Sequence, residues 1–220
     1  MILRIVSGRV RQGRLAAVTE AYTTRYRPIA MATAGLDRFL VAIRPIGDEH
    51  ELAAMTLWET VEAALDAYAG NLSAIRTLDD RGHGEELTRV DYYEVEDAVI
   101  RRDGVDATFL RLTAGTVARG LDADIQQELR RRLDGLPAEL AEAYVGRRVL
   151  GDVVEISFVS TWSGARDRDS LDAPIWPDIS TRYDAFRVAV FDIISSGSPG
   201  QAWPGDPLEM MSKTATRNAS

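Results

Sequence analysis

Apolar and polar residues alternate through residues 2–10, ILRIVSGRV, and the run ends at Gly13, the period-two pattern of a strand with one buried face. From Leu15 the period changes. Leu15, Val18, Tyr22 and Tyr26 recur at steps of three and four and share one face of a predicted helix. Two strand-like runs follow, LDRFLVAIRPI and ELAAMTLW, joined at Gly47-Asp48, a pair suited to a tight hairpin. Thr60 is placed to cap a helix whose Val61, Ala64, Leu65 and Tyr68 share a face, with Gly70 as its stop. A second helical run through Leu72, Ile75 and Leu78 leads past DDRGHG to a last strand at about 88–95. The predicted order is β-α-β-β-α-β, the split unit of ferredoxin-like folds.

The same pattern is written twice. LRIVSGRVRQG at 3–13 returns as LRLTAGTVARG at 110–120, sharing Leu3/Leu110, Arg4/Arg111, Gly8/Gly115, Val10/Val117 and Gly13/Gly120 at an offset of 107. RPIGDEHELAAMTLW at 44–58 returns as RVLGDVVEISFVSTW at 148–162, offset 104, and aligns Trp58 with Trp162. TRVDYY at 88–93 matches TRYDAF at 181–186, offset 93, which aligns Asp91 with Asp184. Three collinear blocks indicate a whole folding unit used twice. The expected division is a first repeat at 1–97, a linker at 98–106, a second repeat at 107–195 and a flexible Gly-, Pro- and Ser-rich tail at 196–220. In the second copy Leu121, Ile125, Leu129 and Leu133 form the helical face, but Pro174 and Pro177 interrupt the stretch after Trp162. A pocket is therefore expected in the first copy, whose segment after Trp58 is uninterrupted.

Composition narrows the chemistry. The 220 residues are 45% hydrophobic and 27% charged, enough for one large core or two domains. No apolar run has the length of a membrane span, and MILRIVSGRV lacks the parts of a signal peptide, so a cytoplasmic protein is expected. The chain has no cysteine and two histidines, His50 and His83, so no metal site and no cofactor is expected. A formal charge of −8 argues against nucleic acid and anionic membrane as partners.

The stretches GLDRFLVAIRPIGDEHELAAMTLWETVEAALDAYAG and ELAEAYVGRRVLGDVVEISFVSTWSG, each with a Trp at the end of its third strand, resemble the antibiotic biosynthesis monooxygenase-like (ABM) domains of the dimeric α/β barrel superfamily. The resemblance implies an α+β fold in which two ferredoxin-like repeats press sheet on sheet. Here they are expected to form an intramolecular dimeric α/β barrel, a monomeric pseudo-dimer or part of a higher homo-oligomer. It also implies a pocket between a sheet and its own helices for a small aromatic or apolar ligand. Haem-degrading members are similar around the tryptophan but use a histidine on the next helix and an asparagine on the first strand. Neither occurs at the matching places here, where the first strands carry Ser7 and Ala114. Cofactor-independent oxygenases of phenolic or polycyclic aromatic compounds fit better, although the asparagine some carry four residues before the tryptophan is Ala54. On that basis the candidate catalytic residues are Trp58, Tyr68 and Arg76, and the candidate substrate-binding residues are Tyr22, Tyr26 and Asn71. Arg4 and Arg111 read instead as outward strand residues that pair with Asp91 and Asp184. The alternative is a non-catalytic ligand-binding or structural barrel of the same fold.

Overall fold

Gly47 and Gly151 adopt φ of +57° and +66°, a left-handed conformation that suits glycine and turns each central hairpin at the expected place. The structure, a computed structural model, describes residues 1–69, 85–101, 107–163, 169–172 and 175–198. The first unit runs β1 (Ile2–Val10), α1 (Leu15–Ala21), a π-helical turn (Tyr22–Tyr26), α2 (Arg27–Met31), β2 (Leu36–Ile46), β3 (Glu49–Trp58), α3 (Val61–Ala69) and β4 (Glu85–Ile100). The second runs β5 (Ala107–Ala118), α4 (Asp122–Leu133), β6 (Leu140–Leu150), β7 (Val153–Ser163), two short helices α5 (Asp169–Asp172) and α6 (Pro177–Ser180), and β8 (Ala185–Gly197). Thr60 caps α3 as predicted, its Oγ1 accepting from the Ala63 N–H at 3.1 Å. The predicted second helix around Leu72, and His83, lie outside the described residues, as do positions 102–106 and 199–220. Among the described residues no helix is long and apolar enough to cross a membrane.

The eight strands close into a barrel in the order β1-β3-β2-β8-β5-β7-β6-β4. Each unit contributes the order 4-1-3-2 of the ferredoxin-like sheet. The two sheets join where the fourth strand of one meets the second strand of the other. β4 pairs with β1 as far as Glu94 and then, from Glu94 to Ile100, with β6. β8 leaves β5 at Asp192 and continues onto β2 up to Gly197. Residues 98–100 are thus strand. Every neighbouring pair is antiparallel, so strands four places apart run the same way and a pseudo-twofold axis lies along the barrel.

Register supports the first two repeat blocks. Leu3 faces Leu57 while Leu110 faces Thr161, and Ile2 faces Trp58 while Phe109 faces Trp162, reproducing offsets of 107 and 104. The third block is corrected. Leu3 faces Tyr93 and Leu110 faces Phe191, an offset of 98, so Asp91 corresponds to Ala189 and not to Asp184. Asp184 precedes β8 and its N–H is bonded to the Thr116 carbonyl at 2.8 Å. The similar letters TRYDAF therefore begin in the turn before the strand. The expected pairing of Arg4 and Arg111 with those aspartates fails for the same geometric reason. Asp91, in register with Ile5, faces the lumen, whereas Arg4 is on the outer side, its Nε donating to Tyr92 Oη at 3.3 Å. Arg111 is buried. The single helix expected through Tyr26 is also modified. A π-helical turn separates α1 from α2, and Pro28, which has no N–H to donate, enters in the first turn of α2.

Alternation along the strands builds three apolar layers. Odd residues of β3 and β7 point inward with Leu3, Leu40, Tyr93, Leu110, Tyr144 and Phe191 to fill the lumen. Even residues point outward under the helices of their own unit, around Trp58 in the first and Trp162 in the second. In the second outer layer the Tyr183 ring lies on Gly115, where a Cβ would sit 2.2 Å from the ring.

At the hairpin end the lumen turns polar. Glu155 accepts from the Tyr93 hydroxyl and from Arg148 at 3.0 Å, Arg148 also holds Asp91, and the Arg148 guanidinium stands 5.0 Å from the Tyr93 ring centre. The corresponding Arg44 pairs with Glu51 at 2.5 Å and stands 5.1 Å from Phe191. Burial pushes the Glu155 carboxyl up, but Tyr93 and Arg148 outweigh it and hold it below the ordinary glutamate value. Burial, reinforced by that carboxylate, pushes the Tyr93 phenol above its usual range.

Two outcomes follow from this packing. Gly115→Ala is expected to lower stability by about 1–3 kcal/mol, because Tyr183 must leave its seat, and a urea melt checks it. Because the folded-state pKa of Glu155 is depressed, its contribution is present above the ordinary value of 4.5 and is lost as pH falls through the folded value. Glu155→Gln should therefore melt below wild type at neutral pH, yet lose less stability between about pH 5 and about pH 3, as read by calorimetry. An unchanged acid slope contradicts this assignment.

Candidate functional site

Both outer layers are built around a tryptophan held in the same way. Trp58 ends β3 and Trp162 lies near the end of β7, both with no exposure. Their indole N–H groups donate at 2.9 Å to Thr56 Oγ1 and at 2.9 Å to Ser160 Oγ respectively. The partner is two residues upstream in each case, because period two puts it on the same face. In the first unit Tyr22 and Tyr26, both buried, meet edge to face with centroids 4.7 Å apart and share the apolar layer of Trp58. The structure thus brings together three of the sequence-derived candidates. Tyr68 lies on α3, and its side chain, with Asn71 and Arg76, falls outside the described residues. The π-helical turn that carries Tyr22 and Tyr26 was not legible in the helical spacing. Turns of this kind recur at functional sites.

A cleft of about 30 Å³ opens in the second unit, between the outer face of its sheet and α4 and α6. Its floor is polar. Arg111, 1% exposed, donates from Nε to the Leu171 carbonyl at 2.7 Å and from Nη1 to Thr113 Oγ1 at 2.6 Å. Its walls are aromatic, with Phe158 and Trp176 edge to face at 5.2 Å and Tyr183 tilted against Phe186 at 5.5 Å. Burial pushes the Tyr183 phenol above its usual range, so it stays protonated at neutral pH. Among the described residues the lining includes no carboxylate and no imidazole. Among the described residues no three His, Cys, Asp or Glu side chains converge as a metal site.

This chemistry suits an anionic aromatic group. A guanidinium enclosed by apolar rings attracts a negative oxygen more strongly than it would in water, and the rings offer stacking faces. The volume holds a water molecule or two, less than an aromatic ring occupies. The sequence did carry a signal for Arg111. It shares a period-two face with Thr113, Gly115 and Val117, and that face turned out to lie under the helices instead of in solvent.

No family model matches the chain, and no curated protein matches it in sequence. Solved structures do. A "putative monooxygenase" of Fusobacterium nucleatum superposes with a TM-score of 0.68 at 13% identity, over 90% of this chain and 94% of the other. An "anthrone oxidase-like protein" gives a TM-score of 0.59 at 14% identity, over 93% and 96% of the two chains. A "putative monooxygenase" of Lactobacillus acidophilus gives 0.57 at 11%, over 91% and 98%. Coverage this complete on both sides means that the whole two-unit barrel is shared. With its closed barrel of eight antiparallel strands in two 4-1-3-2 ferredoxin-like sheets, this chain shares the fold of these solved structures.

Proposed function

We propose that the protein is an ABM-like monooxygenase that needs no bound cofactor and oxidises a phenolic or polycyclic aromatic small molecule. The observation that carries this is Arg111, buried at the floor of an aromatic-walled cleft. The phenol gives its proton to solvent, and its oxygen, now negative, lies against the guanidinium. The bound anion passes one electron to dioxygen. The resulting superoxide joins the ring carbon para to the oxygen, forming a C–O bond, and loss of water leaves a second carbonyl. One oxygen atom ends in the quinone and the other in water, and the two hydrogens lost are the phenolic one and the para one. Arg111 favours the reaction by holding the phenol in its ionised form, the species that donates the electron. The names of the structural neighbours, including an anthrone oxidase-like protein, agree with this chemistry.

The pseudo-twofold axis relates this cleft to the layer around Trp58, Tyr22 and Tyr26, the described part of the other candidate site, whose remaining candidates are Tyr68, Asn71 and Arg76. One observation favours a non-catalytic binder of the same ligand: the described cleft lining holds no group that accepts a proton at neutral pH.

A coloured hydroxyanthraquinone tests the proposal. Bound beside Arg111, its phenol should ionise about one pH unit or more below its free value. Arg111→Gln should abolish that shift, and Arg111→Lys should keep part of it. If Arg76→Ala abolishes it and Arg111→Gln does not, the ligand lies in the first unit. Uptake of one dioxygen per anthrone-type substrate separates the oxygenase from a binder, and absence of saturable dye binding refutes both.

A further inference from the structure

Arg38 and Glu142 occupy the same position in the two units. Arg38 faces Leu57 in β3 and Glu142 faces Thr161 in β7, both at the offset of 104 that also relates Arg44 to Arg148. Both side chains lie on the lumen face, and because the pseudo-twofold runs along the barrel the two positions confront each other across it. They form a double contact, Nε to Oε2 at 3.1 Å and Nη2 to Oε1 at 2.8 Å, and each side chain is 3% exposed. Ser198, just past β8, accepts a further hydrogen bond from Arg38 Nη1.

We infer that this pair selects the partner: it makes the first unit fit the second unit and not another copy of itself. Two first units closed into a barrel would set Arg38 against Arg38, and two second units would set Glu142 against Glu142. Like charges enclosed at that distance are repelled and lose their solvation together. One other lumen position also differs in charge, Asp91, which holds Arg148 of the second unit and corresponds to Ala189, but it lies at the hairpin end, and the apolar positions near Arg38 and Glu142 do not discriminate. Leu3 matches Leu110, and Leu40 matches Tyr144, so either arrangement remains apolar or nearly so. Replacing a buried ion pair by apolar residues commonly leaves stability unchanged or raises it, so a pair kept here contributes choice of partner more than strength.

The covalent link hides this selection, because each unit always has its complement at high effective concentration. The full chain is therefore folded with a protease site replacing residues 102–106, cut, unfolded and refolded at high concentration. Native mass spectrometry then identifies the pairings. Wild type should return only barrels of one first and one second unit. The charge-swapped double variant Arg38→Glu/Glu142→Arg should do the same, whereas Arg38→Glu alone should cut reassembly by about tenfold or more. Arg38→Met/Glu142→Leu should melt, uncut, close to wild type but reassemble into a mixture containing like-with-like barrels. If that apolar variant reassembles only unlike units, if wild type yields like-with-like barrels, or if the uncut apolar variant fails to fold, the inference is overturned.

Discussion

A four-stranded sheet with its helices on one side leaves a second apolar face that must be kept from water, and the rest of this molecule depends on how that face is covered. Leu3, Ile5, Leu40 and Met55 of one sheet meet Leu110, Tyr144, Val159 and Phe191 of the other in one continuous lumen core. Closure also removes the free edges. β4 and β8 are longer than their own sheets need, and the excess pairs with the opposite unit. Neither unit leaves an unpaired outer strand.

The shared lumen explains where the two copies must agree and where they differ. Hairpin glycines, the outer tryptophans with their hydroxyl partners, and the bulges one residue before Arg38 and Glu142 recur, because each is set by local geometry within a unit. Positions near the axis obey a different rule, since they meet their own counterparts. There Arg38 answers Glu142, and the Tyr93–Arg148–Glu155 group answers the simpler Phe191–Arg44–Glu51 set. A barrel assembled from two identical chains cannot hold opposite charges at one equivalent position. The single chain can, and the same freedom lets the outer layers diverge into a cleft with a buried arginine in one unit and a π-helical turn with two packed tyrosines in the other.

The candidate site was only partly legible. Tyr22 and Tyr26 announced themselves by hydrophobic period and Trp58 by its place in the repeat, and the structure gathers them in one layer. Arg111 did not. A charged residue on an alternating strand normally marks the solvent face, and here helices cover that face, leaving the guanidinium to be satisfied by a carbonyl from α5 and a threonine. The prolines after Trp162 argued against a pocket because they break long helices. Two short helices stand there instead, and the cleft opens beside the second of them.

By itself the sequence determined the strand order, the hairpin turns and the α+β class, and it pointed to a unit written twice. Each of these rests on local period, on backbone conformations that favour glycine, or on repetition within the chain. It misplaced the final repeat block by five residues, since similar letters in a turn and in a strand cannot be told apart without the register that a neighbouring strand imposes. Tertiary structure alone decided which period-two face is inside the barrel, which arginine is buried, and that Arg38 and Glu142 meet. Those outcomes depend on contacts between residues about a hundred positions apart, fixed only when the two sheets close on each other.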